Sequence, residues 1–173
     1  MKTQTTAGSV VILAALLAAA ALTTAGCSGG GGESGPTAVV LDISEIEFQS
    51  LSLVNDARVT EGVEILGTDG GVAVVARRHS EAMRHQGFFG HDNPATGQGL
   101  RQRLRAAGVS FTAAAENLVQ VNRAGNPAGV AHSELMASAT HRENILSARF
   151  ELAGIGVARA GDTFWISQIF IRP

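Results

Sequence analysis

The hydrophobic pattern of this chain changes period once, and that change limits it to a mixed architecture. Up to about Leu146 apolar residues recur at three-or-four spacing, in segments bounded by glycines and capping residues. By contrast, Leu152 to Ala160 and Thr163 to Ile171 (TFWISQIFI) are rich in β-branched and aromatic residues and are joined through Gly161-Asp162. Helices followed by a short strand and a closing hairpin, without alternating βα units, predict an α+β domain with a small antiparallel sheet.

Local signals set the expected boundaries. Asp42-Ile43-Ser44 opens a first helix, running to about Glu61, with two overlapping capping boxes, Asp42 to Glu45 and Ser44 to Glu47. Gly62 and the stretch Gly67 to Gly71 break the pattern before a second helix, from about Val72 to Gln86. On that helix Val72, Val75, Ala76, His79, Met83 and Gln86 form a stripe that faces the core. Gly87 ends it, Phe88 to Pro94 reads as a loop, and Leu100 to Ala107 is helical up to Gly108. A short strand is expected over Leu118 to Val121. Asn126 caps a helix with Pro127 at its first position, continuing to about Ala139. A further capping box, Thr140 to Glu143, introduces a short turn at Asn144 to Leu146.

With 173 residues, 45% of them hydrophobic and 16% charged, the composition is globular and fits one core. The formal charge of −2 leaves no basic footprint for nucleic acid. Arg101, Arg103 and Arg105 stand at every second position of a helix, which spreads them around its circumference and reads as a solvated surface.

The N-terminal residues read as an address. A positive start at Met1-Lys2 precedes the apolar run Val10 to Leu22, and small residues follow up to Cys27. The run is about 13 residues, shorter than the ~20 that a spanning helix needs, so residues 1–26 are expected to be a signal peptide. Thr24-Ala25-Gly26-Cys27 resembles a bacterial lipobox, with Thr24 in place of the usual leucine. Lipidation of Cys27 would anchor the protein to the membrane, and residues 27–40, rich in glycine, would tether the domain on the order of 20 Å away. Without lipidation the protein would be secreted. Cys27 is the single cysteine, so the folded region, residues 41–173, must be stable without an internal disulfide.

Six segments occur in an order that resembles the CAP (SCP-like) superfamily, the cysteine-rich secretory, antigen 5 and pathogenesis-related 1 proteins, in its short bacterial form. They are Leu53-Val54-Asn55-Asp56-Ala57-Arg58, the run from Ala76 to Met83, Phe88-Phe89-Gly90-His91, Ala115-Glu116-Asn117-Leu118, the run from Ser138 to Leu146, and Gly154-Ile155-Gly156-Val157 with Trp165 and Gln168-Ile169-Phe170. The resemblance implies a three-layer α-β-α sandwich. It also implies a cleft of two histidines and two acids, for which His91, His141 and Glu116 are the matching residues. The second acid has no counterpart: Leu135 stands at the family's tryptophan and Ser138 where the acid would be, with Glu134 and Glu143 nearby in sequence. Thr140 replaces the usual glycine before His141.

Neutral imidazoles suit a divalent metal such as zinc, so His91 and His141 are candidate ligands, with Glu116 available to polarise water or to orient a histidine. His79, on an apolar stripe, reads as a hydrogen-bonded core residue, and His85 and His132 read as helix surface. Asn55 and Arg58, three apart on one helix face, are expected to fix internal contacts. Gly154 and Gly156 are expected to permit close packing or a bulge. Two principal functions remain. One is an envelope-anchored module binding a lipid, glycan or peptide; the other is a metal-assisted hydrolase or peptidase using His91, His141 and Glu116. A structural role against cell wall or another protein is a third.

Overall fold

The computed structural model describes residues 42–122 and 125–173; the expected signal peptide, Cys27 and the expected glycine-rich tether lie outside them. Among the described residues, no helix is long and apolar enough to cross a membrane. The elements are α1 (Ile43–Thr60), β1 (Gly67–Thr68), α2 (Gly70–Gln86), α3 (Leu100–Ala106), β2 (Ala113–Asn122), α4 (Pro127–Ala137), α5 (Ala139–Leu146), β3 (Leu152–Ala160) and β4 (Thr163–Arg172).

The strands form one sheet in the order β1-β3-β4-β2, antiparallel except for the two-residue β1, which runs parallel to β3. That short parallel edge is not legible in the sequence, because two residues carry no period. Alternation along β4 divides the core between the two faces of the sheet. Phe164, Ile166 and Phe170 pack with Ile46 and Val54 of α1, Leu135 of α4 and Ile145 of α5. On the opposite face, Ile169 and Ile171 pack with Val72, Val75 and Ala76 of α2 and Leu104 of α3. The result is the expected α-β-α sandwich.

Several local expectations change under tertiary contact. Asp42 does cap α1, accepting from Ser44 N–H at 3.0 Å, but the Ser44–Glu47 box gives way to a longer-range role. Glu47 reaches β3 instead: its Oε1 accepts from Val157 N–H at 3.1 Å, and its carboxylate pairs with Arg77. Gln86 is exposed, so the α2 stripe ends at Met83. The strand expected at Leu118 to Val121 extends back to Ala113, because pairing with β4 from Asn122 to Ala113 imposes strand geometry on three alanines of low β propensity. The helix expected to reach Ala139 breaks at Ser138, which has extended backbone and starts α5 at Ala139. Thr140 therefore lies inside α5, and its capping box does not form.

The two glycines of β3 serve close packing. A Cβ on Gly154 would lie 2.3 Å from Ala73 N, and one on Gly156 2.0 Å from Arg77 N, so α2 rests directly on the β3 backbone. Asn55 and Arg58 hold internal contacts as expected. Asn55 clamps Leu66 through both its N–H and its carbonyl. Buried Arg58 donates to the carbonyls of Glu64, Ile145, Ser147 and Phe150, tying the end of α1 to the end of α5.

Candidate functional site

The site is built on β2, the outer strand next to β4, whose alternation sends consecutive residues to opposite layers. Glu116 points toward the α2–α3 side and Asn117 toward α5. Each organises one histidine.

On the first side His91 sits in the loop between α2 and α3, and that loop is fixed at several points. Gly87 ends α2 in the left-handed conformation (φ 68°), with Phe88 then packing edge-on against His79 at 5.9 Å between ring centres. His79 Nε2–H donates to Gly90 carbonyl at 2.9 Å. Asn93 Oδ1 accepts from Ala95 and Thr96 N–H, closing the turn beyond. His79 is thus the buried, hydrogen-bonded histidine expected from its stripe, and burial lowers its proton affinity.

His91 Nδ1 lies 2.9 Å from Glu116 Oε2, and Arg103 Nη2 lies 2.5 Å from Glu116 Oε1. Arg103 Nη1 also donates to His91 carbonyl at 2.6 Å. The Glu116 side chain is only 2% exposed while that of His91 is 57% exposed, so the carboxylate is internal and the imidazole projects outward. Hydrogen bonding to Glu116 raises the His91 pKa above its ordinary value. A proton on Nδ1 facing the carboxylate leaves Nε2 as the outward-facing nitrogen.

Arg103 corrects the reading of Arg101, Arg103 and Arg105 as a solvated surface. The three are spread around α3, but one of the directions faces β2, where a buried carboxylate needs a cation. Arg101 and Arg105 instead lie over the Phe111 ring. The signal for this is Glu116 itself, the one charged residue of β2, buried and so in need of a cation.

On the second side His141 occupies the first turn of α5. Buried Asn117 donates to His141 carbonyl at 3.0 Å and accepts from Asn144 Nδ2 at 2.9 Å, so β2 fixes the start of this helix. Partial burial, and then the nearby charge of His91, lower the His141 pKa. The two histidines are therefore within electrostatic reach of each other while belonging to different layers. A groove of about 310 Å³ runs beside His141, walled by Phe89, Leu118, Val119 and Leu135, with Gln120, Glu134 and Ser138 as its polar groups. Glu134 thus lines the groove, whereas Glu143 is exposed and is not part of its lining. His85 lies on the surface beside Glu81 and Arg84 as expected, whereas His132 is half-buried, with its Nδ1 enclosed and unpartnered.

Among the described residues no group of three or more His, Cys, Asp or Glu side chains is arranged to hold a metal ion. Glu116 is not free to act as a third ligand, since both of its oxygens are taken up. Its position behind His91 is that of a residue orienting an imidazole.

A family model described as CAP, the cysteine-rich secretory protein family, matches residues 51–170. The uncharacterized protein YkwD of Bacillus subtilis (strain 168) is 28% identical over 132 residues, covering 76% of this chain and 49% of that protein. The uncharacterized membrane protein YlbC of the same strain is 35% identical over 126 residues, covering 73% of this chain and 34% of that protein. The chain thus spans half or less of the length of these curated relatives. A solved extracellular protein containing an SCP domain, from Bacillus anthracis str. Ames, superposes with a TM-score of 0.64 at 32% identity, over 75% of this chain and 41% of that one. With the family's segments matched along most of its folded region, the chain belongs to the CAP family.

Proposed function

We propose that this protein is an exported, membrane-anchored CAP module that binds a lipid, glycan or peptide in the groove beside His141. The observation that carries this reading is the state of Glu116: buried, paired with Arg103 and hydrogen-bonded to His91, it is a structural anchor rather than a base facing water. What remains accessible is a mostly apolar groove with a few polar groups converging on it, the usual make-up of a binding site. Export follows from the N-terminal residues, and the extracellular relative supports it. Pull-downs on lipid vesicles, cell-wall fractions and peptide arrays test the proposal. Binding to one class that is weakened in Leu118→Arg, with the fold retained, is the expected result; equal binding by this variant removes the groove from consideration.

A second reading has a specific observation in its favour. His91 Nδ1 is held by a carboxylate and Nε2 faces outward, the arrangement in which a histidine presents its free nitrogen to zinc. His141 would be the partner ligand, and water or substrate would complete the site. Calorimetry with zinc should then show binding that is lost in His91→Ala and His141→Ala, and turnover of a peptide panel that stops with chelator. Absence of zinc binding at micromolar concentration removes the metal and the hydrolase together, and leaves the groove as a metal-free binding site.

A further inference from the structure

The groove beside His141 carries charge of one sign. Among its polar groups only Glu134 has a formal charge, since Gln120 and Ser138 are neutral and the lowered pKa of His141 leaves that ring uncharged at neutral pH. No arginine or lysine lines the groove; His91 and Arg103 are held on Glu116 and lie outside the lining. The Glu134 side chain is exposed and makes no hydrogen bond or ion pair among the described residues. An exposed carboxylate alone selects nothing. Here it shares an apolar groove with an aromatic ring: Phe89 is 52% exposed, although its loop is pinned beyond it by the bonds from His79 to Gly90 carbonyl and from Arg103 to His91 carbonyl. The negative face of an aromatic ring attracts a cation, as a carboxylate does, and neither attracts an anion.

The remaining lining fits a peptide. The Gln120 amide and the Ser138 hydroxyl each donate and accept, and neither side chain has a partner among the described residues, so both match the N–H and carbonyl of a peptide unit. Leu118, Val119 and Leu135 offer apolar surface to flanking side chains. An anionic lipid headgroup would set its phosphate near Glu134 with no base to receive it, and a neutral glycan would leave that carboxylate without a counter-charge. We propose that the ligand of this groove is a peptide segment bearing a lysine-type ammonium, received by Glu134 and the face of Phe89, with its flanking apolar side chains on Leu118 and Leu135. This selectivity presupposes that the groove is the binding site proposed above.

The test is an amide NMR titration of the full chain at low salt, read at Leu118, Gln120 and Ser138, with acetylated Leu-Lys-Leu amide as the probe. Counterparts with norleucine or glutamate in place of lysine remove or reverse the charge, and phosphatidylethanolamine vesicles present an ammonium on a lipid. Saturable binding of the lysine peptide is expected, about fivefold weaker with norleucine and weaker still with glutamate, the size of one exposed ion pair combined with a cation–π contact. Glu134→Gln, an exposed change in α4 that leaves the fold intact by circular dichroism, should remove most of the preference for lysine and leave the norleucine peptide binding as before. Equal binding of the lysine and norleucine peptides, an unchanged preference in Glu134→Gln, no saturable peptide binding at millimolar concentration, or Glu134-dependent binding of the vesicles in place of the peptide would overturn the assignment. Failure here is separable from failure of the groove. Peptides that bind alike but are lost in Leu118→Arg sink only the ammonium, whereas a lysine peptide that binds Leu118→Arg as well as wild type sinks the groove itself.

Discussion

At the scale of single residues, Glu116 governs the site. In Glu116→Gln the amide no longer holds a charged imidazole, so the His91 pKa should fall back toward the ordinary value of about 6.5. Titration of the His91 ring signals by NMR checks this. The pH dependence has a definite sign. Because Glu116 raises the folded-state pKa of His91, the stabilisation from their pairing is fully present below about pH 6.5 and is lost as pH rises through the higher folded value. The gap in stability between wild type and Glu116→Gln should therefore narrow as pH rises through that window, leaving the part that comes from Arg103. Arg103→Ala leaves the buried carboxylate without its arginine and should cost roughly 3–5 kcal/mol in urea denaturation, the range for breaking one partner of a buried pair. A loss under 1 kcal/mol would mean that Glu116 is solvated in solution.

At the scale of elements, two contacts decide how helices sit on the sheet. Arg58 of α1 holds the end of α5 by donating to carbonyls that helix and turn geometry leave open. Arg58→Ala should cost on the order of 3 kcal/mol, since several hydrogen bonds from one charged group are lost and a buried volume is vacated. Gly156 sets how near α2 approaches β3. Gly156→Ala places a methyl group against the Arg77 backbone nitrogen, which cannot rotate away, and should cost about 3 kcal/mol or abolish folding. Thermal unfolding of both variants checks the pair; a near-wild-type midpoint for Gly156→Ala would show that α2 can shift outward freely. The sequence marked Gly156 as a place for either close packing or a bulge, the two common uses of a glycine inside a strand. It held no indication of which helix takes that space.

At the scale of the whole molecule, the proposed export and anchoring rest on the N-terminal residues and on Cys27. Cys27→Ser should move the protein from the membrane to the soluble fraction, as judged by fractionation and by acyl-chain labelling of the wild type. Retention on the membrane without label would sink the lipid anchor. The sequence by itself determined the helix and strand periods, the caps at Asp42 and Asn126, the closing hairpin, the absence of an internal disulfide and the order of segments that identifies the family. These depend on neighbours a few residues apart, and so are written locally. Tertiary structure alone decided that Ala113 to Ala115 become strand, that Glu47 leaves its helix cap to meet β3, and that one arginine of three turns inward. It also decided that Glu116 and Asn117, adjacent in the chain, serve histidines 25 and 24 residues away in opposite layers. The reason is physical: a buried charge or amide is satisfied by whatever group the fold brings within about 3 Å, and neither the period nor the spacing of a sequence records that partner.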